Sequence, residues 1–154
     1  MTNNGRCVRV LVVDDSQVCR ELLSHIYASD PELQVVGTAC NGEEAIEANK
    51  RLKPDVISMD LQMPRMDGLE ATRAIQVCAP QSKVIILTVH REALYVSIAF
   101  DAGARGYVLK QSALAELPQA VLRVLAGERY VGADVAGREE WMSADRDEAP
   151  TRQP

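Results

Sequence analysis

Several common patterns are missing from these 154 residues, and each absence excludes something. No stretch comes near 18 uncharged apolar residues, so no membrane-spanning helix is expected. Residues 1–8 lack the basic, apolar and small-residue regions of a secretory signal, which leads to the expectation of a cytoplasmic protein. The four cysteines, Cys7, Cys19, Cys40 and Cys78, form no C-x-x-C pair. They read as reduced packing residues, so neither a disulfide framework nor a zinc site is expected. No G-x-G-x-x-G follows the first apolar run, and acids stand where a dinucleotide's phosphates would sit. Positive charge is also short: 17 Lys and Arg against 22 Asp and Glu leave a formal charge of −5. That balance repels phosphate backbones and anionic lipid, and argues against direct nucleic-acid binding and against a membrane surface as partner.

What is present is a regular alternation. Val8–Val13 is a β-branched run that stops at Asp14 and Asp15, as a strand buried on both faces would. From Ser16 onward Val18, Leu22 and Ile26 recur at spacing four, and Asp30-Pro31 closes what should be an amphipathic helix. Further apolar runs at 34–40, 56–59, 84–87 and 107–109 predict four more strands. Helices are expected at 42–52, 68–78, 92–102 and 113–126. Pro118 falls inside the last stretch, so regular helical bonding should begin near Ala115, with Gly127 as its stop. Every interval between strand ends exceeds the dozen residues a parallel crossover needs. The expected fold class is therefore α/β, a five-stranded parallel open sheet covered by helices.

Domain organisation follows from the change of character after Gly127. Residues 1–127 form one domain in this reading, and 128–154 an extended acidic tail, partly disordered. Residues 138–154 carry five acidic and three basic side chains and two prolines, too little apolar material for a second core. Trp141 either frays with this tail or docks on the body or on a second chain.

In an open parallel sheet, ligands bind beyond the carboxyl ends of the strands. The residues expected there are Asp14, Asp15, Asp60, Thr88 and Lys110. Three carboxylates and one ammonium leave a deficit of positive charge that a divalent cation would cancel. An all-oxygen ligand set with positions open to water and phosphate suits Mg²⁺, or Mn²⁺, better than zinc or copper. A carboxylate beside such an ion and a lysine can attack phosphorus in line and form an aspartyl phosphate. Asp60 is the nucleophile candidate because it stands alone at the end of a central strand, and Asp14-Asp15 read as the metal cradle. The stretch Asp60-Leu-Gln-Met-Pro-Arg-Met-Asp-Gly68 adds specificity: Met63-Pro64 stiffens the loop after the acid, and Gly68 permits a tight turn into a helix. A phosphohydrolase using an aspartyl phosphate typically needs a second acid two residues after the nucleophile, where this chain has Gln62.

Together, Asp14-Asp15, the stretch from Asp60 to Gly68, Thr88, Gly103-Ala104-Arg105-Gly106-Tyr107 and Lys110 make residues 7–127 resemble the CheY-like receiver domain of bacterial two-component response regulators. The resemblance implies a flavodoxin-like (βα)5 doubly wound fold with sheet order 2-1-3-4-5. It implies Asp60 as phosphoacceptor, with Lys110 and Thr88 assisting, and Mg²⁺ held by Asp15, Asp60 and the Gln62 backbone carbonyl, with Asp14 acting largely through water. A sensor histidine kinase or a phosphotransfer protein would supply the phosphoryl group. Thr88 and Tyr107 match the hydroxyl and aromatic switch positions, the aromatic turning inward as the hydroxyl is drawn to phosphate. The surface of the fourth helix, fifth strand and fifth helix, including Tyr95 and Arg105, would then meet an effector protein or a second copy of the chain. Such a protein is a phosphorylation-switched signalling module, not a turnover enzyme.

Departures are also visible. Val89 follows Thr88 where the family usually has a smaller residue, and His90 and Gln62 occupy positions that tune phosphate lifetime. Gln111, in place of the common proline after Lys110, removes the usual basis for a cis peptide there. The stretch Leu117–Ala136 resembles the end of a receiver from the DNA-binding helix-turn-helix (LuxR-type) subfamily. Residues 128–154 are too few for that output module, so the expectation is a stand-alone regulator or, alternatively, the receiver fragment of a transcription regulator.

Overall fold

The computed structural model describes residues 6–143. Elements follow in the order β1 (Val8–Val13), α1 (Gln17–Ala28), β2 (Leu33–Ala39), α2 (Gly42–Leu52), β3 (Val56–Asp60), α3 (Gly68–Cys78), β4 (Lys83–Thr88), α4 (Ala93–Asp101), β5 (Gly106–Leu109), α5 (Ala113–Leu125), β6 (Tyr130–Val131) and α6 (Arg138–Ser143). The strands form one sheet in the order β2-β1-β3-β4-β5-β6, and every pairing is parallel.

Alternation along the strands divides the core between two faces. Val10 and Val12 of β1 pack with Leu23 and Ile26 of α1 and Leu117 and Val121 of α5. Leu11 and Val13 point the other way, toward Ala45 and Ala48 of α2 and Ala71 and Ile75 of α3. Burial on both faces explains why Val10–Val13 of β1 reads as an uninterrupted apolar run. The chain leaves β1 for β2 at one side and returns past β1 to β3, so the direction of winding reverses between β1 and β3. That reversal is where an open sheet offers a crevice at its carboxyl edge.

Short polar side chains start the helices around that edge. Ser16 Oγ accepts the Cys19 N–H at 3.3 Å, and Asn41 Oδ1 accepts the Glu44 N–H at 2.9 Å. Asp67 and Glu70 form a reciprocal capping box at the start of α3.

The structure departs from the sequence reading in four places. The sheet has a sixth strand, because Tyr130 and Val131 pair with Gly106 and Tyr107 on the open side of β5. The extended tail expected from residue 128 contains β6 and α6 through Ser143, and Trp141 is buried; the rest of that tail, 144–154, lies outside the described residues. The last helix begins at Ala113 after a short 3-10 turn at Lys110–Ser112, so Pro118 sits in the helix interior and not in its first turn. A proline there costs about 3 kcal/mol. The buried stripe of Leu117, Ala120, Val121 and Val124 offsets this, since each larger apolar side chain contributes roughly 1.5–3 kcal/mol. Finally, the cysteines are not core residues: Cys7 and Cys78 are exposed, Cys19 and Cys40 half-buried, and all four are free. Peptide bonds among the described residues are all trans, that of Lys110–Gln111 included.

Candidate functional site

Asp60 is the last residue of β3, and Asp14 follows the last residue of β1, so the strand pairing at the reversal point sets the two carboxyls side by side. Asp14 is locked by its surroundings. Its N–H donates to the Ala39 carbonyl at 3.1 Å, its Oδ1 accepts the Ser16 N–H at 2.9 Å, and its carbonyl accepts Arg20 Nη1 at 2.7 Å. Lys110, the first residue beyond β5, reaches across the edge to both acids. Its Nζ lies 3.0 Å from Asp14 Oδ2 and 3.4 Å from Asp60 Oδ1. Asp15 is exposed to solvent, yet Asp14, Asp15 and Asp60 each bring a carboxylate oxygen within 4.8 Å of the others.

The electrostatics are those of a crowded, partly dry pocket. Burial, seconded by the Asp14 charge, pushes the Asp60 carboxyl up to about 6, and Lys110 only partly opposes this. Burial also works against the Lys110 ammonium, but its hydrogen bond to Asp14 and the charge of Asp60 outweigh that and raise its pKa. Two buried carboxylates thus share one cation. An oxygen donor set of this kind, with net negative charge left over, fits a hard divalent cation such as Mg²⁺.

The loop after Asp60 is shaped by backbone fit. The Gly68 N–H donates to the Leu61 carbonyl at 3.0 Å, and a Cβ on Gly68 would overlap the backbone carbonyl of Asp60 itself. Only glycine lets α3 start so close to the acid. Arg65 adopts a left-handed φ of 70° within this turn. Its guanidinium pairs with Glu43 at 2.9 Å, and the Met66 carbonyl accepts the Gly42 N–H at 3.0 Å, tying the loop to the start of α2. Gln62 is exposed on the same loop.

On the other flank Thr88 ends β4, buried, and its Oγ1 accepts the His90 N–H at 3.2 Å. Tyr107 is fully buried, and its hydroxyl donates to the His90 carbonyl at 2.7 Å. The His90 ring stacks on Tyr95 with centroids 4.3 Å apart. Val89 points outward and is 67% exposed. Asp14, Asp60 and Lys110 are therefore in direct contact, with Asp15 beside them. Thr88 and Tyr107 meet instead through the backbone of His90, a role that motif spacing does not reveal. The β5 edge, expected to be open to partners, carries β6, and Arg105 Nη2 donates to the Gly127 carbonyl at 3.0 Å.

The sequence profile of the response regulator receiver domain matches residues 10–122, which include all of these side chains. The chain belongs to the response regulator receiver family. Response regulator GacA of Pseudomonas viridiflava is 43% identical over 129 residues, covering 84% of this chain and 60% of that protein. Transcriptional regulatory protein DegU of Brevibacillus brevis is 38% identical over 128 residues, covering 83% of this chain and 54% of that protein. The chain thus spans little more than half the length of these relatives. Among solved structures, a LuxR-family two-component response regulator from Aurantimonas superimposes with a TM-score of 0.81 at 36% identity, over 86% of this chain and 94% of that one. This receiver is accordingly a signalling domain of the two-component type, related to DNA-binding regulators. No helix among its described residues is long and apolar enough to cross a membrane.

Proposed function

We propose that this receiver takes a phosphoryl group onto Asp60 in a Mg²⁺-dependent reaction, from a histidine kinase or a phosphotransfer protein in the cytoplasm, and thereby switches a protein-interaction surface. The observation that carries this reading is the buried Asp14–Lys110–Asp60 contact at the reversal point of the sheet. In the transfer an Asp60 Oδ attacks phosphorus while the P–N bond to the donor histidine breaks. The electron pair returns to the imidazole nitrogen, which leaves as neutral histidine once protonated. With a carboxyl pKa of about 6, Asp60 is mostly ionised at neutral pH and can act as the nucleophile without a base. Lys110, already between the acids, neutralises charge on a phosphoryl oxygen. The Thr88 hydroxyl, which accepts only the His90 amide here, has a proton to give another. Asp15, Asp60 and the Gln62 carbonyl would hold Mg²⁺, with Asp14 contributing through water. When bound, the ion supplies further neutralisation of the equatorial oxygens.

Switching then runs through Thr88 and Tyr107, which share the His90 backbone, toward an effector or a second copy at the surface of α4, β5 and α5. A second reading is that the chain is the receiver portion of a DNA-binding transcription regulator; its relative DegU, of which it spans 54%, is a transcriptional regulatory protein. Both readings require the same phosphoacceptor. Incubation with acetyl phosphate and Mg²⁺ should give acid-labile phosphate incorporation that disappears with chelator and in Asp60→Asn. Equal labelling of Asp60→Asn contradicts the assignment.

A further inference from the structure

We infer that residues 130–143 act as a reader of the Asp60 switch built into the chain itself. This segment is bonded to the loop between β4 and α4, and it seats Trp141 on α4 in step with that loop. The inference rests on the reading that Asp60 accepts phosphate.

Two groups from elsewhere in the chain, Tyr107 and Ala136, converge on the four residues Thr88–Arg91, which Thr88 braces from within. Thr88 Oγ1 accepts the His90 N–H at 3.2 Å, the Tyr107 hydroxyl donates to the His90 carbonyl at 2.7 Å, and the Ala136 N–H donates to the Arg91 carbonyl at 2.9 Å. The segment holds Tyr107 as well. Residues Tyr130 and Val131 pair with Gly106 and Tyr107, and the Gly132 N–H donates to the Tyr107 carbonyl at 2.8 Å. A shift of Thr88 or Tyr107 therefore pulls on backbone that the segment also grips.

The far end of the segment is an aromatic seat. Trp141 is buried against Phe100 of α4 with ring centroids 4.7 Å apart, and the Arg129 guanidinium lies 5.5 Å from both centroids. Arg138 Nε closes the turn by donating to the Val131 carbonyl at 2.8 Å. One two-residue strand, one six-residue helix and a handful of buried side chains must offset the entropy of ordering the segment. For the segment to respond to the switch that balance must be narrow, as in any bistable element. Inward Tyr107 and seated Trp141 occur together here, so phosphate on Asp60, which favours the inward tyrosine, tightens the seat. The surface that meets an effector is then α4 with Trp141 of the chain's own α6 packed on its Phe100.

Trp141 is the single tryptophan of the chain and reports on its own seat. The full chain is treated with Mg²⁺ and beryllofluoride, a reversible phosphoryl mimic, or with acetyl phosphate, for which intact mass records covalent incorporation. Acrylamide quenching of Trp141 should fall about threefold on loading, and not at all in Asp60→Asn. Reciprocity requires that unseating weakens loading. Ala136→Pro, which removes the amide donor, and Phe100→Ala, which empties the seat, should each weaken Mg²⁺-beryllofluoride binding about fivefold, with circular dichroism confirming that both are folded. Loading with unchanged quenching overturns the inference, as does wild-type beryllofluoride affinity in both variants. Failure of the wild-type chain to incorporate phosphate overturns the phosphoacceptor reading and this inference with it, and the mass record distinguishes that result from the others.

Discussion

Buried polar side chains gather at both ends of the sheet, but the two ends treat them differently. At the amino end, where β3 and β4 begin, Ser82 and Asn49 are almost wholly buried; Ser82 Oγ lies 2.9 Å from Asn49 Oδ1 and 2.7 Å from the Pro54 carbonyl. These groups are neutral: Ser82 Oγ is within hydrogen-bond reach of two oxygens, and although Asn49 Nδ2 finds no partner among the described residues, an unpaired amide costs far less than a buried charge. At the carboxyl edge, Asp14 and Asp60 are as deeply buried but charged, and they share the one ammonium of Lys110. Burial there is left partly uncompensated, and the raised Asp60 pKa is its measure. The amino end is a clasp that fixes the strand starts. The carboxyl edge holds charge ready for something the chain does not itself supply.

Substitutions at the two ends should separate these roles. Asp60→Asn should abolish phosphate incorporation outright, measured by intact mass after exposure to acetyl phosphate and Mg²⁺, while the protein stays folded. Lys110→Ala should slow incorporation by about 10²–10³-fold, the usual cost of removing one preorganised charge partner, as read from labelling time courses. Gly68→Ala sharpens the comparison, because there packing and chemistry coincide. Its methyl would press on the Asp60 carbonyl, so it should destabilise by about 3 kcal/mol in denaturant titration and slow labelling as well. Ser82→Ala should cost roughly 1–3 kcal/mol in the same titration by stranding the Asn49 side-chain oxygen, with the labelling rate unchanged. A loss of labelling in Ser82→Ala would break the division between the two ends.

The smallest effect concerns pH. The Asp60 carboxyl rises from 3.8 to about 6 on folding, so the folded state binds its proton more tightly than the unfolded chain does. The stability this contributes is complete below pH 4 and lost as pH rises through 6. Without Mg²⁺, Asp60→Asn should therefore be roughly 1–2 kcal/mol more stable than wild type at pH 7, with the difference vanishing toward pH 4. Paired thermal melts across that range measure it.

The parallel α/β scaffold was legible because both-face burial writes apolar runs and helices write spacing four. The site was legible because residues at successive strand ends become neighbours once the sheet is parallel, so Asp14, Asp60 and Lys110 needed no long-range guess. Other features carried weaker signals. The strand Tyr130–Val131 is two residues long, too short for a period, and its stabilisation comes from the open edge of β5. Trp141 sits amid charged residues, and its burial depends on Phe100, far away in sequence, and on Arg129 just before β6. Pro118 misled because local propensity loses to the buried stripe around it. The join between Thr88 and Tyr107 runs through the backbone N–H and carbonyl of His90, which side-chain motifs do not encode.

The central claim is that the acid at the end of β3 accepts the phosphoryl group. Borohydride reduces an aspartyl phosphate to homoserine, and peptide mass mapping then locates the modified position. After treatment with acetyl phosphate and Mg²⁺, the account predicts homoserine at position 60 and nowhere else. Homoserine at Asp14, Asp15 or Asp67, or none in a chain that has incorporated phosphate, would contradict it.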